Sequence, residues 1–163
     1  MSGKLMPNVE LSPLQQQHYS TLELLTVHPE QLKFVGTLQE ILCNVSSSVH
    51  PNVVTFEGEV VGFFLIDTHY SDDYNFCQGA ALGLRAFFIG QAHQGKGFGK
   101  AATAALKPFL NQHYLNARQI YLTVNCKNPS AYACYVAAGF EDTSELYHGG
   151  AAGPQHILRL ALM

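Results

Sequence analysis

Seven residues, Gln94-Gly95-Lys96-Gly97-Phe98-Gly99-Lys100, stand between an apolar run at 81–89 and an amphipathic run that reaches Tyr114. They restrict the fold more than any other part of the chain. Alternating glycines admit backbone angles closed to other residues, so the chain can turn sharply from a strand into a helix there. A helix that starts at such a turn leaves N–H groups uncovered, and without Cβ atoms in the way an anion can approach them closely. The helix dipole and two lysines, Lys96 and Lys100, favour negative charge at the same point. The segment reads either as a pyrophosphate cradle or as a glycine-rich turn that only eases the passage from strand to helix.

Two familiar phosphate loops do not fit. A Walker loop follows Gly-Lys with Ser or Thr to hold magnesium, whereas Gly97 follows Gly95-Lys96 and Ala101 follows Gly99-Lys100. A dinucleotide fingerprint wants GxGxxG and an acidic residue about 20 positions on. Here the glycines alternate, and the region near Asn116 carries no acid.

The elements around the loop are mixed in type. A short strand is expected near 9–11, then helical material in which Leu22, Leu25, Leu32, Val35, Leu38, Ile41 and Leu42 are spaced for buried faces, with Pro29 opening a helix. The run 46–52 reads as a loop. Next comes a β-hairpin, 53–56 and 60–67 around Glu57-Gly58-Glu59. Residues 69–78 form a polar and aromatic loop between strands, and such loops often carry substrate contacts. The run 81–89 reads as a central strand covered on both sides. Phe98, Ala102, Ala105, Leu106, Phe109 and Leu110 give 95–114 a helical period, with Pro108 as a kink. A strand at 119–124 precedes a helix capped by Asn128, begun at Pro129 and closed by Gly139. The run 140–147, a turn of glycines at 149–154 and an alternating strand at 156–162 complete the chain.

Composition limits the function classes. With 163 residues, 47% hydrophobic and a formal net charge of -3, the chain reads as one domain over 1–163 that needs no metal or disulfide to fold. It is too apolar for a disordered chain. The acidic balance lacks the field that captures nucleic acid or an anionic membrane, so neither is an expected partner. No apolar run approaches the roughly 20 residues that span a bilayer, and residues 1–10 have no secretory pattern, so the expected compartment is the cytoplasm. Cys43, Cys77, Cys126 and Cys134 form no CxxC pair and no zinc spacing. They are expected to be reduced thiols, and no metal is expected.

The loop resembles the Q/R-x-x-G-x-G/A segment of the GCN5-related N-acetyltransferase (GNAT) family, with Gln94, Gly97 and Gly99 in its positions. Asn128-Pro129-Ser130-Ala131, Tyr135 and Gly139-Phe140 resemble the family's N-x-x-A-x-x-x-Y-x-x-x-G-F segment. Joint occurrence at the usual separation is far more specific than either motif alone. The resemblance covers roughly residues 53–145. It implies an α/β (α+β) fold: a mixed, mostly antiparallel sheet of about six or seven strands flanked by helices, with a cleft where 81–89 and 119–124 diverge.

It also implies acetyl transfer from acetyl-coenzyme A to a primary amine, by direct attack through a tetrahedral intermediate. The competing reading is a related module that holds coenzyme A without turnover. Gln94, Gly95, Lys96, Gly97, Phe98, Gly99 and Lys100 would take the pyrophosphate, and Asn128 would touch the cofactor while capping its helix. The backbone of Phe87, Phe88 and Ile89 would receive the pantetheine arm and the thioester carbonyl. Tyr135 would protonate the departing thiolate, leaving the core role to Tyr132. A strand carboxylate serves as base in many members, but Arg85 is the only charged residue at 80–89. A water relay, His69, His156 or an acid at 67–73 stays open. Asp67, Asp72 and Asp73 with Tyr70 and Tyr74 suit a cationic amine, which makes Tyr70, Asp72 and His156 the substrate candidates. The stretch at 29–35 is faintly similar to polyamine acetyltransferases and leans the acceptor toward small molecules. A homodimer is among the arrangements the resemblance allows.

Overall fold

Val60, Val61, Gly62, Phe63, Phe64, Leu65 and Ile66 are all buried, although successive side chains of a strand point to opposite faces. Such a strand must lie inside a sheet covered on both sides. In the computed structural model, which describes residues 6–26, 29, 32, 37–77 and 81–162, it is β3 (Glu59–Asp67). Its hairpin partner is β2 (Val49–Phe56), joined through Glu57 (φ 51°) and Gly58 (φ 83°). Two left-handed residues make the turn whose twist matches that of the flanking strands.

Among the described residues five further strands complete the sheet: β1 (Glu10–Pro13), β4 (Leu82–Ile89), β5 (Gln119–Asn125), β6 (Glu141–Tyr147) and β7 (Gln155–Ala161). The seven strands lie in the order β1-β2-β3-β4-β5-β7-β6. Every pairing is antiparallel except β4 with β5. That parallel pair is bridged by helix α4 (Phe98–His113), the crossover such a pair requires.

Helices cover the two faces. On one, α4 and α5 (Pro129–Ala137) pack Leu106, Leu110 and Tyr135 into a core with Val54, Phe64, Ile66, Leu122 and Leu158. On the other, α1 (Tyr19–Leu22) and α2 (Leu38–Leu42) bring Leu22 and Ile41 against Val53, Phe63 and Leu65. A smaller cluster joins Tyr70, Cys77, Tyr121 and Ile157.

Several expectations need correction. Residues 50–52, read as loop, belong to β2. Pro51 is tolerated because its carbonyl accepts from Leu14 N–H (3.0 Å), just past the end of β1, so its missing donor falls where that ladder stops. The loop at 69–78 contains a helical turn, α3 (Tyr70–Asp73). Helix α4 begins at Phe98 and runs through Pro108 to His113. Pro108 and Ala104, the residue whose carbonyl it leaves unbonded, are both exposed, so water can satisfy that carbonyl. The stretch 27–36 lies, apart from residues 29 and 32, outside the described residues, and with it most of the helix opened at Pro29 and the stretch at 29–35. Among the described residues no helix is long and apolar enough to cross a membrane.

Candidate active site

Strands β4 and β5 pair only at Leu82–Ile120 and Gly83–Tyr121 and then part. A cavity of about 740 Å³ opens in the gap, walled by the rest of β4, the start of α4, residues 122–125 of β5, one side of α5 and the loop at 149–152. The register of β4 against β3 shifts between Phe88–Phe63 and Arg85–Leu65, so Ala86 and Phe87 both stand opposite Phe64. Ala86 has φ 54° in this bulge, a backbone region that costs a residue with a Cβ of the order of 1–3 kcal/mol. Bulges re-aim the groups beside them, and here Ala86, Phe87, Phe88 and Ile89 all line the cavity.

At one end the cavity meets the glycine loop. Gly95 (φ 77°) and Gly97 (φ 85°) take left-handed angles, and Gly97 caps α4 with no side chain bonded to the helix N–H groups. The first turn bond runs from Ala101 N–H to the Gly97 carbonyl (3.0 Å), and no described residue accepts from the backbone N–H groups at 95–100. A row of donors at a positive helix end is an anion site in physical terms. Gln94 Nε2 donates to the Ile89 carbonyl (2.9 Å), tying loop to strand. Gln94, Gly95, Gly97, Phe98, Gly99 and Lys100 line the cavity, and Lys96 does not.

Helix α5 brings Asn128 and Tyr135 to the same cavity. Asn128 Oδ1 accepts from Ala131 N–H (3.3 Å), the cap its type favours. Tyr135 is 7% exposed, between the rings of Phe87 (6.1 Å) and Phe140 (5.6 Å). No described residue hydrogen-bonds its hydroxyl, yet no enclosed polar side-chain atom among them lacks a partner, so that hydroxyl opens on the cavity. Burial, reinforced by Cys134, pushes its pKa well above the ordinary tyrosine value. The expected division between the two tyrosines is reversed as regards packing. Tyr135 belongs to the core, while Tyr132 is half-buried and donates to Asp142 Oδ2 (2.8 Å).

The sequence candidates for the acceptor end part company. Tyr70 lines the cavity, stacked on Tyr74 (4.4 Å). Asp72 is exposed and faces His69 (3.6 Å), and neither lines the cavity. His156 lies against Tyr132 (4.6 Å between rings) and Asp142 (3.8 Å), outside the cavity wall. Tyr74, read from the sequence as part of the amine-suited loop, lines it, and so do Arg85, Tyr147, Gln155 and Cys134, none of them singled out as a site residue. Arg85 did carry a signal, as the one charge in an apolar strand. Among the described residues no cluster of three or more His, Cys, Asp or Glu could hold a metal ion.

Asp142 illustrates how α5 is held. Its pKa is lowered by the Ser144 N–H first, and further by Tyr132 and His156. A carboxyl with a lowered folded pKa stabilises the fold above its unfolded pKa, and that contribution disappears as pH falls through the folded value. Asp142→Asn should therefore be less stable than the parent at pH 7, with the gap in denaturant midpoint closing as pH falls below about 4.

The model of the acetyltransferase (GNAT) family matches residues 10–140. Spermine/spermidine N(1)-acetyltransferase of Bacillus subtilis (strain 168) is 29% identical over 130 residues, covering 77% of this chain and 83% of that protein. Among solved structures, aminoglycoside acetyltransferase AAC(6′)-Ib in complex with coenzyme A is similar at TM-score 0.73 and 19% identity, over 94% of this chain and 95% of that one. Spermidine N-acetyltransferase from Vibrio cholerae, in complex with CoA and spermine, is similar at TM-score 0.66 and 18% identity, over 94% and 95%.

Proposed function

This chain belongs to the acetyltransferase (GNAT) family, and on that premise we propose that it moves an acetyl group from acetyl-coenzyme A to a primary amine of a small molecule. The observation that carries this reading is one continuous cavity with helix N–H groups at one end from which no described residue accepts, and the Tyr135 hydroxyl on its wall. The cradle suits a pyrophosphate: left-handed Gly95 and Gly97 and the small Gly99 expose donors, and Lys100 adds charge.

Bound acetyl-coenzyme A supplies an activated thioester. The N–H groups at 95–100 hold its pyrophosphate, and Asn128 borders the same channel. The β4 backbone beside the bulge stabilises the carbonyl oxygen as charge gathers on it, often the largest catalytic contribution. The neutral amine nitrogen bonds to the carbonyl carbon to give a tetrahedral intermediate; as this collapses the C–S bond breaks, Tyr135 gives its proton to the sulfur, and the surplus proton on the nitrogen passes through water to restore the phenol. The attacking ammonium must first lose a proton. His69, His156 and the carboxylates at 67–73 do not line the cavity, which favours a water path for that step.

The test is thiol release from acetyl-coenzyme A across a panel of primary amines, with mass analysis of the products. Amine-dependent release matched by acetylated amine is the expected outcome. Tight binding of acetyl-coenzyme A with no amine-dependent thiol would point instead to a module that holds the cofactor without turnover.

A further inference from the structure

The acceptor end of the cavity is walled by Tyr70, Tyr74, Tyr147, Gln155 and Arg85. Among the described residues that line the cavity there is no Asp or Glu, and Arg85 is the charged group at this end. Its guanidinium is held from behind. Nη1 donates to Asp67 Oδ2 (2.9 Å), and that carboxylate's other oxygen accepts from His69 N–H (2.9 Å). Nη2 reaches the Tyr74 hydroxyl (3.5 Å), and the guanidinium carbon lies 5.8 Å from the Tyr74 ring centre. Asp73 stands 3.9 Å from Nη1 but outside the cavity wall.

The pair is neutral overall, yet its two ends are not equivalent. The Asp67 side chain is 3% exposed and that of Arg85 34%, so a molecule in the cavity meets the donors and not the acid. A guanidinium has five N–H donors in a planar fork, and those not engaged by Asp67 and Tyr74 are available to an acceptor group in the cavity. Although Asp67 and Asp73 together offset the charge of Arg85, a carboxylate in the cavity can accept from the remaining guanidinium N–H groups, whereas the second ammonium of a polyamine offers those donors no acceptor.

We infer that the acceptor is a primary amine bearing a carboxylate on an aromatic or apolar frame, with Arg85 binding the carboxylate and Tyr74, backed by the buried Tyr70, and Tyr147 flanking the frame. This rests on the acetyl-transfer reading of the same cavity and names its substrate class. Arg85 is thus a specificity residue, and polyamines are disfavoured.

The experiment measures binding to the chain loaded with coenzyme A, where no turnover is needed, by calorimetry. Matched probes are phenylalanine with phenethylamine, and 4-(aminomethyl)benzoate with benzylamine, beside spermidine. In at least one pair the carboxylate-bearing member should bind about tenfold or more tightly, the scale of a hydrogen bond to a charged group. In Arg85→Gln that ratio should fall to about 1. Because Arg85→Gln strands the buried Asp67 carboxylate, Arg85→Gln with Asp67→Asn is measured too. It removes both charges, and the ratio should fall equally. The inference is overturned if spermidine binds more tightly than every carboxylate probe, if no carboxylate probe binds, or if the ratio survives in the double variant. Binding with the expected ratios but without thiol release from acetyl-coenzyme A would count against acetyl transfer alone.

Discussion

Tyr135→Phe should lower kcat by about 10²–10⁴ while leaving affinity for acetyl-coenzyme A nearly unchanged, the range expected on removal of a general acid. The ring is what packs against Phe87 and Phe140, and phenylalanine keeps it. The hydroxyl makes no hydrogen bond to a described residue, so its loss orphans no partner. Burial raises the Tyr135 pKa, which keeps the phenol protonated at working pH. The same surroundings disfavour the departing thiolate, so the proton passes between two anions that burial penalises alike. Single-turnover kinetics should show the loss in the chemical step. A water admitted at the vacated position would soften it. Full turnover under conditions where chemistry limits the rate would make Tyr135 a packing residue, and loss of cofactor binding as well would make its role structural.

Gly99→Val should weaken acetyl-coenzyme A binding by about 100-fold or more, the result of blocking two or more charge-assisted hydrogen bonds, while the protein still folds. Gly97 is the less informative site because its φ of 85° strains any side chain before a ligand is considered. At Gly99, in the first turn of α4, an added Cβ would meet only Ile89 Cγ1, at 3.8 Å. Room for a Cβ therefore exists in the fold, and Gly99 lines the cavity where a pyrophosphate would approach the N–H groups. Calorimetric titration with acetyl-coenzyme A and a melting curve of the same variant separate the two effects. Unchanged affinity would show that the loop only turns the chain from strand to helix.

How much of this was legible beforehand depended on how local each feature is. The glycine angles at 95 and 97, the Asn128 cap with Pro129 behind it, and the hairpin at Glu57-Gly58 are set by residues within a few positions. Their residue types carry those signals directly. The strand at 49–52 was hidden because Pro51 and its neighbours look like a turn until the end of β1 is known. Tyr132 and Tyr135 are three residues apart on one helix, and only the sheet beneath decides which is buried.

From residue order alone came the strand-turn-helix unit, the glycine-rich helix start and the tyrosine helix that follows, because each is encoded by short-range backbone preference and a period of apolar residues. The end of the cavity around Arg85 required the fold. Tyr70 and Arg85 come from α3 and β4, and Tyr147 and Gln155 from β6 and β7, two stretches far apart in the chain. What joins them is the parting of β4 from β5 after two paired residues and the burial of Asp67 behind Arg85. Both depend on long-range packing, and no local spacing encodes them.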